Sequence, residues 1–284
     1  MKTTVVALRE ASVQVAIGSA GKKPTVFALC AEPAYDGGIA SWEKAAGKLW
    51  QANKLPKSGL CVVLPDHAVT MRVITAPDLP KKQLDALVDH EMTTRGEEPV
   101  AADYQILGTD GAGKLRLLAC ACRRSVMEEY LAMFSRLGLR VSSVTMALAG
   151  YVRLLAAMDA MRGRTCIWLL FERGSVLSLL VENGEYRYSG RTQIFSETGT
   201  LDFAAEVARN VSGTVQFHTA NRSEHTIDAV CYAGCDDGDF AVCAPELAAM
   251  GLRAEPLPTP DCLRALPGHA RMGDWIDCVS ALLR

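Results

Sequence analysis

Several short stretches of this chain carry residue types that could do chemistry. Gly108-Thr109-Asp110-Gly111-Ala112-Gly113-Lys114-Leu115 matches most of a phosphate-binding P-loop. Such a loop cradles phosphate with backbone N–H groups, reaches it with a lysine and meets magnesium with a Ser or Thr hydroxyl. Leu115 stands where that hydroxyl belongs, and Leu115–Cys120 reads as a strand where a P-loop must enter a helix. A hairpin turn is the better reading. His90-Glu91 opens the H-E-x-x-H pattern of zinc proteases, but Thr94 occupies the second histidine position. Asp89, His90 and Glu91 are consecutive, so on a helix they point about 100° apart and form a solvated face. Cys120 and Cys122 share a strand face, and Cys231 and Cys235 straddle a strand end. Neither pair has C-x-x-C spacing with a matching partner pair, which favours buried free thiols over structural zinc. Gly174-Ser175-Val176-Leu177-Ser178 does not fit the G-x-S-x-G nucleophile elbow. His218 and His225 flank a helix end and suit a capping or solvated role.

The elements that would position these residues are organised by an internal repeat. Phe134–Val141 (FSRLGLRV) returns as Leu247–Ala254 (LAAMGLRA). Each is the end of an amphipathic helix, a glycine and the start of a strand, and similarity of this kind points to a duplicated architecture. In the first half, strands are expected at 3–8, 11–17, 24–31 and 60–64, with a helix at 40–53 whose Trp42 and Trp50 pack on the sheet. A further strand at 69–75, a helix at 81–94 begun at Pro80, and strands at 103–108 and 115–122 follow. Ser125 and Glu128 form an S-x-x-E capping box for a helix that Gly138 ends. A strand at 140–144 and a helix at 146–162 close the half. The second half repeats the order with strands at 165–171, 174–181, 185–192, 227–233 and 252–256 and helices at 200–219, 240–250 and 273–283. Both halves run βββαβαβα. Residues 1–163 form the first lobe, with an inserted subdomain at 66–118, and 164–284 form a reduced second lobe.

Composition narrows the classes. The chain has 284 residues, 49% hydrophobic and 22% charged, with net charge −2, which is ordinary for a two-domain globular protein. Lys and Arg are spread along it, so no nucleic-acid footprint stands out. No apolar run approaches the roughly 20 residues of a membrane span. The N-terminus runs straight into a strand pattern rather than a signal peptide, and the ten cysteines sit mostly in apolar runs. A cytosolic chain with reduced thiols is the expectation.

A βββαβαβα unit given twice, with an insertion in the first copy, resembles the actin/hexokinase/Hsp70 superfamily. Leu64-Pro65, Met71–Pro77, Glu91, Glu98–Tyr104, Leu117–Ala121 and Val181–Gly184 with Arg191 resemble the PilM family of type IV pilus assembly. The likeness covers about residues 1–235 and extends to the GspL cytoplasmic domain of type II secretion. It implies an α/β, duplicated actin/RNase H-like two-lobed fold with an α+β insertion in the first lobe. It also implies ATP between the lobes, held on two hairpin turns that need Gly for close approach and Asp for magnesium. Here those turns are Leu8-Arg9-Glu10 and Glu172-Arg173-Gly174, without Asp, and the adenosine-side Gly-Gly survives only as Gly234-Cys235. The interval from Phe195 to Ile227 holds little more than one helix where the family carries a subdomain. The expected function is therefore a nucleotide-independent, cytoplasmic scaffold without cofactors. By the resemblance it would bind the N-terminal peptide of a PilN-like bitopic inner-membrane protein at the inner face of the membrane. The peptide groove would draw on Leu64, Met71, Val73, Leu84 and Leu87. Two alternatives stand beside it. One is an ATP-dependent switch in which Glu172 holds magnesium through water and Arg9 or Arg173 meets phosphate. The other is a degenerate sugar kinase.

Overall fold

The computed structural model describes residues 2–93 and 98–284. Thr94, the residue that breaks the zinc-protease pattern, lies outside them. The chain divides into two compact units, Met1–Arg153 with Asp277–Arg284, and Leu154–Ile276. The sequence reading assigned all residues from 164 onward to the second lobe. The last eight belong instead to the first unit, because their apolar side chains (Cys278, Val279, Leu282, Leu283) are buried there and Gly21 N–H bonds the Leu282 carbonyl.

The first unit opens with β1 (Lys2–Arg9), β2 (Ser12–Ser19), β3 (Thr25–Pro33), α1 (Ile39–Asn53) and β4 (Ser58–Leu64). The insertion follows as β5 (Thr70–Ala76), α2 (Lys81–Met92), β6 (Val100–Thr109) and β7 (Leu115–Arg123), then α3 (Arg124–Arg136), β8 (Arg140–Met146) and α4 (Ala147–Ala157). The main sheet has order β3-β2-β1-β4-β8. β1 is antiparallel to β2 and parallel to β4, and β4 is parallel to β8. Trp42, Ala46 and Leu49 of α1 and Met133 and Phe134 of α3 pack on one face of it. Both tryptophans are buried with their indole N–H satisfied, Trp42 by the Arg9 carbonyl at 2.7 Å and Trp50 by Pro56 at 2.9 Å.

The second unit holds β9 (Cys166–Glu172), β10 (Ser175–Glu182), β11 (Glu185–Gln193), α5 (Leu201–Ala220), β12 (Ala229–Ala233), α6 (Asp237–Ala241), α7 (Ala244–Ala249) and β13 (Arg253–Pro256). Its sheet, β11-β10-β9-β12-β13, repeats the order and the sense of every neighbouring pair. Each unit even bulges where its second strand meets the edge strand, at Ile17/Gly18 and at Leu180/Val181.

The repeated sequence ends its helices identically. Leu139 N–H bonds Phe134 O and Gly138 N–H bonds Ser135 O; Leu252 N–H bonds Leu247 O and Gly251 N–H bonds Ala248 O. Both are Schellman closures with glycine at φ 68° and 75°.

Several boundaries differ from the sequence reading. The Ser125 side chain makes no cap; its backbone N–H donates instead to Glu98 Oε1 at 2.8 Å, so a carboxylate from the preceding loop closes α3. The predicted helix at 240–250 is two short ones, α7 restarting with Pro245 in its first turn. The predicted helix at 146–162 ends at Ala157 and is followed by a 3-10 turn. The last helix, α8, spans only Ile276–Ser280. His218 is buried, 3.5 Å from Glu182, rather than solvated. Gly108–Leu115 is the β6–β7 hairpin, in which Asp110 Oδ1 accepts from the backbone N–H of Ala112 and Lys114.

Candidate functional site

The β1–β2 turn, where the actin-like plan would place phosphate, is occupied by side chains of its own unit. Leu8 is buried, and the Arg9 guanidinium lies 3.1 Å from Asp277 Oδ2. The Tyr151 hydroxyl of α4 donates to the other oxygen, Oδ1. Arg9, Asp277 and Tyr151 therefore form one enclosed network. Burial raises the Tyr151 hydroxyl far above its ordinary pKa, with the neighbouring carboxylate adding to the effect. Glu10 sits at the tip beside Gly37.

The β9–β10 turn is neutralised locally. Arg191 of β11 reaches across with Nη1 3.3 Å from Glu172 Oε2 and 3.0 Å from Ser175 Oγ. Gly174 takes φ 70°, as the turn requires, and its carbonyl accepts from Ile194 N–H. Gly234, the remnant of the adenosine-side pair, takes φ 77° at the end of β12. A Cβ there would overlap the Phe171 carbonyl. Over it lies the 3-10 turn Met272–Trp275: a Cβ on Gly273 would come within 2.9 Å of Ala233 Cβ and 3.2 Å of Gly234 N. Arg271 ties this cover down through Asp274 at 3.1 Å and Asp236 at 3.4 Å. The surviving glycine thus serves backbone packing.

Among the described residues, the cysteine pairs lack the further ligands that a metal site needs. All ten cysteines are free, and no cluster of three or more His, Cys, Asp or Glu side chains among the described residues could hold an ion.

The insertion builds an apolar groove in the first unit. Its sheet has order β5-β7-β6, and β7 is apolar on both faces. Leu117, Ala119 and Ala121 pack with Leu84, Val88 and Met92 of α2. Leu118, Cys120 and Cys122 point the other way and wall a cavity of about 430 Å³. Opposite them stand Leu64, Val144 and Met146 from the main sheet and Arg153 from α4. Burial pushes the Cys120 thiol up to about 11, and its Sγ donates to the Asp103 carbonyl at 3.4 Å.

Of the residues predicted to line a groove, Leu64 does so. Met71 and Val73 pair with Cys120 and Leu118, so they share the groove face of the sheet while lying outside the cavity lining. Leu84 and Leu87 are on the reverse face, in the insertion's own core. Their amphipathic stripe holds α2 to β7, so they lie outside this cavity. The groove residues missed from sequence are those of β6, β8 and α4. The continuous apolar run Leu117–Cys122 of β7 was the available signal, since a strand apolar on both faces must be covered twice.

No protein-family model and no curated protein matches this sequence. Solved structures do. A chain of a PilM-PilN type IV pilus biogenesis complex superposes with TM-score 0.77 at 14% identity, over 99% of this chain and 98% of that one. A Bacteroides thetaiotaomicron protein of unknown function with an actin-like ATPase fold gives TM-score 0.59 at 9% identity, over 99% and 95%. This chain has a duplicated actin-like fold. The cytoplasmic domain of EpsL, an inner-membrane component of the Vibrio cholerae type II secretion system, gives TM-score 0.52 at 12% identity, over 99% and 95%. No helix of the described residues is long and apolar enough to cross a membrane.

Proposed function

We propose that this chain is a PilM-like scaffold of a pilus or secretion assembly machine. It docks the cytoplasmic N-terminal peptide of a PilN-like membrane protein in the groove between β7 and β8–α4, and it works without nucleotide. The preformed apolar cavity of about 430 Å³ beside the insertion carries the reading. A peptide laid in such a groove gains burial without the cost of opening it. The likeness in fold to a chain of a PilM-PilN complex supports the choice of partner. Such a partner would hold the scaffold peripherally at the inner face of the cell membrane.

The nucleotide-free part rests on the turns. Arg9 is matched by Asp277 and Glu172 by Arg191, so each turn already has its counter-charge. Neither turn presents an Asp for magnesium.

Calorimetry tests both parts on the whole chain. Titration with the N-terminal peptide of a one-span protein encoded beside this chain should give saturable binding, lost on Met146→Asp, which places a charge in the groove. Mg·ATP should give no heat of binding at micromolar concentration. Tight Mg·ATP binding would overturn the nucleotide-free part, and peptide binding indifferent to Met146→Asp would overturn the groove.

A further inference from the structure

Two buried side-chain atoms in this largely apolar groove have no hydrogen-bond partner among the described residues. Arg153 of α4 has a buried Nε–H that bonds nothing among the described residues. Gln105 of β6 has a buried Oε1 that accepts nothing. Both line the same cavity. An unmade bond on a buried group costs about 1–3 kcal/mol, more when the group is charged.

The charges around Arg153 deepen the imbalance. The ionisable groups that act on it are Cys61 and Arg284, a thiol and a like charge, and burial disfavours its charged form. The one carboxylate in the lining, Asp103, accepts from Tyr104 N–H at 2.8 Å and is exposed. The cavity therefore offers a guanidinium without an anion, beside an acceptor without a donor. Leu118, Val144 and Met146 line the same cavity and offer the charge no hydrogen-bonding side chain.

From this juxtaposition we infer that the peptide taken by the groove carries one acidic side chain, which Arg153 reads, in an otherwise apolar segment. A backbone N–H of the same peptide satisfies Gln105 Oε1. A guanidinium meets a carboxylate through two parallel N–H···O bonds, so it fixes the register of the peptide as well as adding affinity. The apolar wall alone would let an extended segment slide by two residues. The inference rests on the groove reading above and adds the chemistry of the occupant.

The test uses the whole chain and a Leu-, Ile- and Thr-rich host peptide in which one aspartate is walked along the sequence. Each peptide has an asparagine twin, and binding is read by fluorescence anisotropy. At one position the aspartate peptide should bind at least tenfold tighter than its twin. Arg153→Met should erase that difference and leave the asparagine peptide within about twofold, a melting curve confirming the fold. Should Arg153→Met not fold, Gln105→Met on the neighbouring strand should weaken both twins equally while the aspartate preference of the native chain still reports on the carboxylate. Equal binding of the twins at every position overturns the inference and leaves groove docking standing. So does an aspartate preference that survives Arg153→Met. Failure of every peptide to bind overturns the groove reading itself and the inference with it.

Discussion

The two hairpin turns occupy matching places in the duplicated fold, yet the last strand residue before each, Arg9 and Glu172, carries an opposite charge met by a different route. Arg9 meets a carboxylate delivered by the far end of the chain, whereas Glu172 meets Arg191 only 19 residues on, from an adjoining hairpin. The first pair is more enclosed, with side-chain exposures of 13% and 10% against 29% and 15%. Its carboxylate also serves the Tyr151 hydroxyl. The comparison shows that the duplicated skeleton fixes strand order and helix caps, while each lobe solves its own electrostatics with whatever element passes nearby. A buried charge demands a partner wherever it can be found, and a half-exposed one can settle for a neighbour.

That contrast can be broken by substitution. Asp277→Ala removes the carboxylate that the Arg9 guanidinium and the Tyr151 hydroxyl share. It should cost about 3 kcal/mol in urea denaturation, the largest effect expected at either turn. Gly234→Ala should cost about 2 kcal/mol, because the methyl collides with the Phe171 backbone and the φ is unfavourable. Gly138→Ala and Gly251→Ala face open space at the same left-handed φ. Each should cost about 1 kcal/mol, and the two values should agree within a few tenths. A large gap between them would mean that the repeat is unequal at its most similar point. Glu172→Gln, at the shallower turn, should cost only about 0.5 kcal/mol. If it matched Asp277→Ala, the distinction drawn between the turns would fail.

A last, smaller effect concerns pH and the groove. Burial raises the Cys120 thiol to about 11 from an ordinary 9.0, so the folded chain holds that proton more tightly than the unfolded one. The contribution to stability is undiminished below pH 9 and falls as pH rises toward 11. Alkylation of Cys120 should therefore keep accelerating beyond pH 9, and a docked peptide should slow it. A rate that levels off near pH 9 would show an ordinary, solvated thiol.

Much of the fold was legible because periodicity and glycine report local geometry. The apolar runs of β9 and β10, the stripe of α1 and the two Gly-Leu-Arg endings each state their own structure. The face of β7 that α2 covers was not legible, although the stripe of α2 is clear. An amphipathic helix announces that it covers something, but which face of β7 it covers depends on how the chain crosses the sheet. Leu84 and Leu87 therefore pack in the insertion's core rather than along the cavity. Asp277 was invisible for another reason. A carboxylate in a short terminal helix looks solvated until the fold brings Arg9 and Tyr151 to it. The capping box failed likewise, because α3 begins at Arg124, which puts Ser125 inside its first turn, where its N–H donates to Glu98.

Asp277 also imposes an order on synthesis. The first unit is interrupted by the second, so a ribosome must release residues 154–276 before the carboxylate that completes the first unit can arrive. Until then the first unit lacks the Arg9–Asp277 ion pair and the Cys278–Leu283 packing. Completing it takes the docking of one short segment rather than the collapse of a domain.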